Sequence, residues 1–127
     1  MITSHLSFVI ASKFPKQLAE FYALLTDSDC QSGLSSQDYF VEYDASFKIH
    51  IYNPSSLNPI PEKGRVLALC LNSMPNSHPM RFLEDWLRLL ISRGALLVEK
   101  PVDKYFGAEA WMQDPEGNYF LVFVPKN

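Results

Sequence analysis

The segment Trp111–Val124, with the sequence WMQDPEGNYFLVFV, constrains the fold most, because it predicts two strands joined by a tight turn. Asp114 stands at the first turn position, where its side chain can accept hydrogen bonds from backbone donors two residues on. Pro115 presets the backbone angle φ at the second position, and Gly117 is favoured at the fourth. The aromatic and β-branched run Tyr119–Val124 is typical of a buried strand. We therefore predict a β-hairpin whose second strand is buried.

The composition indicates one globular domain. The chain has 127 residues, of which 47% are hydrophobic and 20% charged, and this balance does not fit a disordered chain. A net charge of −3 and the lack of a Lys/Arg cluster argue against a nucleic-acid surface. No apolar run reaches the roughly 20 residues of a membrane span, and the N-terminus reads poorly as a signal peptide because its first basic residue is Lys13. The two cysteines, Cys30 and Cys70, form no CxxC motif, so we expect unpaired thiols in the cytoplasm, with Cys70 buried.

The first half of the chain predicts a strand, a helix and further strands. Ser4–Ala11 alternates between apolar and more polar positions, as a half-buried strand does. A proline at position 15 is suited to the first turn of a helix. The apolar positions of this helix follow helical spacing: Leu18, Phe21, Tyr22 and Leu25. Asp38–Tyr43 and Phe47–Tyr52 predict two more strands, and Cys30–Ser36 leaves open a short edge strand.

The second half repeats this order after Ser55–Gly64, a stretch rich in Pro, Ser and Asn. Arg65–Leu71 predicts a strand, Pro79 the start of a helix and Gly94 its end. The apolar stripe of that helix consists of Leu83, Trp86, Leu87, Leu90 and Ile91. The remaining predicted elements are strands at Ala95–Val98, Ala108–Gln113 and Tyr119–Val124, with a loop at Lys100–Phe106.

The order strand, helix and three strands therefore occurs twice, which indicates an internal repeat. Aligning the two first strands places His5 opposite Val66. Aligning the prolines that end the two last strands places His50 opposite Leu121. One helix per half covers only one face of its strands and leaves the other free to curve around a cavity. We predict an α+β fold with a ligand site in the mouth of a partial barrel.

A duplicated βαβββ unit that ends in DPEGN and an apolar strand resembles the vicinal oxygen chelate superfamily, which includes glyoxalase I, the bleomycin resistance proteins and the extradiol dioxygenases. Gly107–Val122 carries the most specific part of the resemblance, and the helix segment FYALL at Phe21–Leu25 matches a further family signature. The resemblance implies one glyoxalase-like domain over residues 1–127, with module one at 1–54, a linker at 55–64 and module two at 65–127. It also implies a curved mixed sheet with the helices on its outer face, and a homodimer.

The family's chemistry usually depends on a divalent metal, held by side chains from the first and last strands of each half. Carried over by the resemblance, these positions are His5 and His50 in the first half, and Val66 and Leu121 in the second. Valine and leucine have no lone pair to donate, and sites of this type use three or four protein ligands. We therefore expect no metal and no other cofactor.

Strand alternation divides the apolar residues from a candidate ligand-binding set. The residues expected to pack on the helices are Leu6, Phe8, Ile10, Phe47, Ile49, Ile51, Leu67, Leu69, Leu71, Phe120, Val122 and Val124. The residues expected to face the cavity and bind the ligand are His5, Ser7, Lys48, His50, Tyr52, Cys70, Tyr119, Leu121 and Phe123. An apolar wall with a few convergent polar groups is typical of a small-molecule pocket.

Three functions fit these observations. The favoured one is a metal-free small-molecule-binding protein that resembles the bleomycin-binding members of the family, with neither nucleic acid nor membrane as a partner. The alternative is a lyase, isomerase or dioxygenase that uses His5 and His50 for a nonstandard metal site or for acid–base chemistry. The third is a structural or interaction role, with the pocket filled by Tyr52, Tyr119 and Phe123. The sequence does not identify the ligand.

Overall fold

Two compact units, Met1–Gly64 and Arg65–Asn127, each contain one helix and one β-sheet. The computed structural model describes residues 6–33, 35–57, 59–60 and 67–127. The predicted α+β class with two tandem βαβββ modules is confirmed. Within the described ranges, neither helix has the length and apolar character needed to span a membrane. The single-domain organisation and the linker at residues 55–64 stay predictions.

Module one is a four-stranded mixed sheet with a helix on one face. Its elements are β1 (Leu6–Ala11), α1 (Pro15–Leu25), β2 (Cys30–Ser32), β3 (Asp38–Asp44) and β4 (Phe47–Tyr52). The strand order is β1-β4-β3-β2, with β1 parallel to β4 and the other neighbours antiparallel. The predicted strands at the start and end of the module are confirmed. The segment Cys30–Ser36, for which the sequence left a short edge strand open, contains the edge strand β2.

The core of module one lies between α1 and the sheet. Pro15 starts the helix as predicted, and the Ser12 hydroxyl accepts the backbone N–H of Phe14 at 3.0 Å just before it. The helix packs on β3 and β4. Its buried partners are Leu18, Ala19, Phe21 and Tyr22 on the helix and Val41, Ile49 and Ile51 on the sheet. Because side chains alternate along a strand, residues next to these core positions face the side without a helix.

Module two repeats the arrangement with one more strand. Its elements are β5 (Leu69–Asn72), α2 (Pro79–Ser92), β6 (Leu96–Leu97), β7 (Val102–Lys104), β8 (Gly107–Gln113) and β9 (Tyr119–Pro125). β5 is parallel to β9, β9 is antiparallel to β8, and both β6 and β7 pair with β8.

The core of module two joins α2 to β8 and β9. The buried side chains on its two sides are Leu83, Leu87 and Leu90 from the helix and Ala108, Ala110, Met112, Phe120, Val122 and Val124 from the sheet. Gly94 ends the helix as predicted, with φ at +106°, a conformation that favours glycine. The predicted hairpin is also confirmed. Asp114 is buried in its turn, and its carboxylate accepts the backbone N–H groups of Glu116 at 2.9 Å and Asn118 at 3.0 Å.

Several sequence predictions for module two are wrong in detail. The first strand begins at Leu69, and Leu67 is 73% exposed instead of buried. In the register of β5 and β9, Leu67 would pair with Asn118, which belongs to the hairpin turn and offers no strand partner. The segment Lys100–Phe106 is not wholly a loop, because β7 adds to the edge of β8. Ile91 is 47% exposed, since it lies about 80° around the helix axis from Leu83 at the border of the apolar stripe.

Candidate ligand-binding site

The face of the module-one sheet opposite α1 carries an open groove of about 610 Å³. We call it the module-one groove; its lining residues are Ser7, Val9, Ser32, Gly33, Asp38, Phe40, His50 and Tyr52. The structure thus brings together Ser7, His50 and Tyr52 from the predicted ligand-binding set. His5 and Val66 lie outside the described residues. The groove has the volume of a small-molecule site.

The floor of the groove is aromatic. Phe40 and His50 are cross-strand partners in β3 and β4, and their rings stack with centroids 5.8 Å apart and planes at 26°. Val9 pairs with His50 from the other side in β1 and is 61% exposed. Three adjacent strands therefore contribute one row of apolar and aromatic surface on which a flat ligand can lie.

One end of the groove is acidic. Asp38 is the cross-strand partner of Tyr52, and the hydroxyl of Tyr52 donates to the carbonyl oxygen of Pro59 at 2.7 Å. No ion pair or side-chain hydrogen bond to the Asp38 carboxylate occurs within the part of the chain that the structure describes. Gly33 borders this end: a Cβ there would come within 2.9 Å of the Asp38 Cβ, so the close approach requires glycine.

Lys48 lies on the same face but does not line the groove. It lies two residues along β4 from His50 and is the cross-strand partner of Glu42 in β3. Its Nζ is 5.1 Å from the centroid of the Phe40 ring. That distance permits a cation–π contact. Lys48 and Asp38 therefore place opposite charges at the two ends of the floor.

The other predicted residues lie on the corresponding face of the module-two sheet. Cys70 and Leu121 are partners in β5 and β9, and Phe123 packs on Phe106 with ring centroids 5.8 Å apart. Tyr119 is exposed at the start of β9. Glu109, which was not among the predicted residues, shares this face as the partner of Phe123 and forms an ion pair with Lys104. Among the predicted residues that the structure describes, none lines the second cavity, about 300 Å³ at the start of α2.

Cys70 is exposed, which corrects the expectation that its thiol is buried. It alternates with Leu69 and Leu71 and so points to the face away from α2. Partial desolvation raises the pKa of the Cys70 thiol, and the negative charge of Glu109 raises it further. Since the thiolate is the reactive species, Cys70 is a weak nucleophile near neutral pH despite its exposure.

This assignment predicts that Glu109→Gln makes Cys70 more reactive. Removing the carboxylate lowers the thiol pKa, so we expect alkylation by iodoacetamide at pH 8 to be about two- to threefold faster. The measurement uses a Cys30→Ser background, so that only Cys70 reacts. Glu84→Gln, an exposed change on α2, should leave the rate unchanged. An equal rate in the Glu109 variant and its parent would show that the carboxylate does not act on the thiol.

The strand registers test the alignment of the two modules. Val9 pairs with His50 in module one, and Cys70 pairs with Leu121 in module two. The repeat alignment relates Val9 to Cys70 and His50 to Leu121, so the parallel strands of both modules have the same register. Leu121 therefore occupies in β9 the position that His50 occupies in β4.

The donors present do not fit the metal site that the fold family implies. A leucine side chain has no electron pair to give at the ligand position of β9. Within residues 6–33, 35–57, 59–60 and 67–127, no group of three or more His, Cys, Asp or Glu side chains is arranged to hold a metal ion. We therefore derive no chemical step through a metal.

Solved structures of known proteins share this architecture over nearly the whole chain. A glyoxalase/bleomycin resistance protein from Albidiferax ferrireducens T118 matches with a TM-score of 0.66 and 15% identity, over 93% of this chain and 95% of that one. The chain has the glyoxalase/bleomycin resistance fold. The same fold relates it to TnmS3, an antibiotic binding protein from Streptomyces sp. CB03234, with a TM-score of 0.65, 20% identity and 98% of each chain covered.

An enzyme also has this glyoxalase/bleomycin resistance fold. Lactoylglutathione lyase from Agrobacterium tumefaciens matches with a TM-score of 0.60 and 17% identity, over 96% of this chain and 93% of that one. No protein-family model matches the chain. No curated protein matches it either. Since binding proteins and enzymes share the fold, its function must be argued from the site.

Part of the groove lining was not predicted from the sequence. The residues not foreseen are Val9, Ser32, Gly33, Asp38 and Phe40. The strand alternation contained a signal for three of them: Val9 shares one side of β1 with Ser7, and with Val41 in the core, Asp38 and Phe40 must share the opposite face of β3. Ser32 and Gly33 depend on the pairing of β2 with β3, for which the sequence offers no comparable signal.

Proposed function

We propose that this chain is a metal-independent small-molecule-binding protein, as the resemblance to bleomycin-binding members implies. The observation that carries the proposal is the module-one groove, whose aromatic floor of Phe40 and His50 is bordered by a few polar groups. A concave, mainly apolar surface with sparse polar groups suits the capture of a small organic molecule. The antibiotic binding protein TnmS3 provides a precedent for such a role on this fold.

The metal-independent part of the proposal rests on Leu121. Its side chain replaces a donor at the position equivalent to His50, and at most two imidazoles, those of His5 and His50, would remain of the ligand set that the resemblance carries over. Two imidazoles and waters would hold a divalent ion weakly compared with sites of three or four protein ligands. The proposal also includes a homodimer in the cytoplasm, and analytical ultracentrifugation tests the dimer.

A screen of chelator-treated protein against a library of small aromatic and aliphatic compounds tests the binding function. We expect hits to shift the backbone NMR signals of Ser7, Val9, Phe40 and His50 without added metal. Phe40→Leu should weaken these hits by about fivefold, because it removes a stacking surface worth on the order of 1 kcal/mol.

The matched control is Leu89→Ala, which changes an exposed apolar residue on α2 and should leave every hit unaffected. A library without any hit at the groove would contradict the proposal. Hits that appear only after a metal is added would also contradict it.

The second candidate function is acid–base catalysis, and the position of His50 favours it. Its imidazole lines the groove, where it could exchange a proton with a bound substrate, since imidazoles carry protons near neutral pH. The lactoylglutathione lyase shows that the fold supports an enzyme. His50→Gln distinguishes the two functions: a binding protein retains its ligand with modest loss, whereas an enzyme loses turnover while still binding substrate.

A further inference from the structure

We propose that the module-one groove selects a planar aromatic ligand that carries a cationic amine, with the ring on the Phe40–His50 floor and the amine at Asp38. This inference rests on the proposed binding function and names its ligand class. It follows from three cross-strand pairs of β3 and β4 that succeed one another on the groove face of the sheet, and each such pair is called a rung here. The rungs are Glu42 with Lys48, Phe40 with His50, and Asp38 with Tyr52.

The middle rung favours a flat ring. The Phe40 and His50 rings stack with their planes 26° apart, so a ligand ring can continue the stack at an outer ring face or pack edge-on against the pair. Val9 continues the floor in β1 and is exposed. Aromatic rings prefer offset stacking on such a surface, and an aliphatic chain would leave much of the floor uncovered.

The rung at Asp38 favours a positive charge. Asp38 is the acidic residue of the lining that the structure describes, and that lining contains neither lysine nor arginine. Its cross-strand partner Tyr52 does not donate a hydrogen bond to it, because the Tyr52 hydroxyl donates to the carbonyl oxygen of Pro59. A carboxylate at the edge of an apolar floor is best satisfied by an ammonium group that the ligand brings.

The opposite rung sets the orientation of the ligand. The ammonium of Lys48 lies 5.1 Å from the Phe40 ring centroid and repels a ligand amine at that end of the floor. His50 and Tyr52 are the other titratable groups of the lining, and Glu42 faces Lys48 across the strands. The charge pattern therefore directs the amine toward Asp38.

Strand geometry limits the distance between ring and amine. Residues two apart on one strand face are separated by about 7 Å, so the amine should lie about 5 to 8 Å from the ring centre. An arylethylamine satisfies this spacing. A ring that carries its charge within the aromatic system does not satisfy this spacing, and a carboxylate at that distance has the wrong charge for Asp38.

Three indole probes test the inference because they differ only in the end of the side chain: tryptamine has an ammonium, tryptophol a hydroxyl and 3-indolepropionic acid a carboxylate. Binding is measured by titration of the backbone NMR signals of Val9, Phe40 and His50. We expect tryptamine to bind about tenfold tighter than 3-indolepropionic acid, the effect of one charge-assisted contact.

Variants of Asp38 and Phe40 separate the charge contact from the stacking contact. Asp38→Asn keeps the size of the side chain but removes its charge, and it should reduce tryptamine to the affinity of tryptophol. Glu20→Gln, which removes an exposed carboxylate from α1 on the other side of the sheet, should preserve the preference. Phe40→Leu should weaken all three probes.

Equal binding of the three probes that is lost in Phe40→Leu would overturn the amine selection and leave the proposed binding function standing. A preference for tryptamine that persists in Asp38→Asn would overturn the role of that carboxylate. Absence of binding by all three probes would overturn the ligand class, and the library screen decides separately whether the groove binds small molecules at all.

Discussion

Replacing Phe120 with alanine is expected to lower the free energy of unfolding by about 3–5 kcal/mol, the cost of truncating a fully buried aromatic side chain. Phe120 is fully buried, lies between Leu69 and Met112 in the sheet and faces the α2 side of module two. The loss combines the transfer of the ring from water with the cavity that remains in the core. Denaturant unfolding followed by tryptophan fluorescence measures it, because both tryptophans, Trp86 and Trp111, belong to module two.

The neighbouring residue is the matched control. Tyr119 is 54% exposed, and Tyr119→Ala should change the free energy of unfolding by less than about 0.5 kcal/mol. Phe120→Leu fills much of the cavity, so its loss in the free energy of unfolding should lie between those of the two alanine variants. It remains measurable if Phe120→Ala does not fold. Similar losses for the Phe120 and Tyr119 alanine variants would contradict the assignment of Phe120 to the core side of β9. They would also contradict the assignment of Leu121 and Phe123 to the open face.

Replacing Asp114 with alanine is expected to lower the free energy of unfolding by about 2–4 kcal/mol, because it removes a buried acceptor from several donors at once. Besides the two backbone N–H groups in the turn, the carboxylate accepts the side-chain amide of Asn118 at 2.7 Å. Without it, the donors of Glu116 and Asn118 lose their partners in a partly buried turn. Thermal unfolding measured by circular dichroism detects the loss.

Asp114→Asn distinguishes the hydrogen bonds from the packing of the side chain. Its oxygen can still accept the two backbone N–H groups, and the amide of Asn118 can rotate to present its oxygen to the new NH₂ group, so the loss should be about half that of alanine. Glu99→Ala, an exposed change in the same module, is the control. Equal stability of the Asp114→Ala variant and the parent protein would show that the turn does not depend on the carboxylate.

Most of the fold could be predicted because the decisive signals are local. The DPEG turn, the prolines at positions 15 and 79, and the glycine at position 94 mark the ends of elements by their own backbone restrictions. The alternation within Phe47–Tyr52 likewise predicts which face of a strand is buried. These signals need no knowledge of which strands pair.

The wrong predictions concern residues whose burial or secondary structure depends on which strands pair. Leu67 belongs to an apolar alternating run, but its position in the register falls opposite the hairpin turn, so it remains exposed. Val102–Lys104 forms a strand because β8 offers a free edge, although the segment itself contains two charged residues. A sequence pattern does not show how many residues of a neighbouring strand are available.

The candidate site could be predicted only in part for the same reason. Alternation correctly assigned Ser7 and His50 to one face of module one, where they line the groove. The aromatic floor was not foreseen, since the stacking of Phe40 on His50 requires the register of β3 and β4. Whether the open face of module two, with Cys70, Tyr119, Leu121 and Phe123, takes part in binding stays a prediction.

Metal-independent binding is tested most directly by the affinity of one groove ligand, such as tryptamine or a library hit, measured by calorimetry in EDTA and again with Ni²⁺, Zn²⁺, Fe²⁺ or Mn²⁺. We expect the same dissociation constant in every condition and no stoichiometric uptake of metal, because Leu121 cannot complete a ligand set. Ligand binding that requires a metal, or tight metal binding that is lost in His5→Ala, would contradict this expectation.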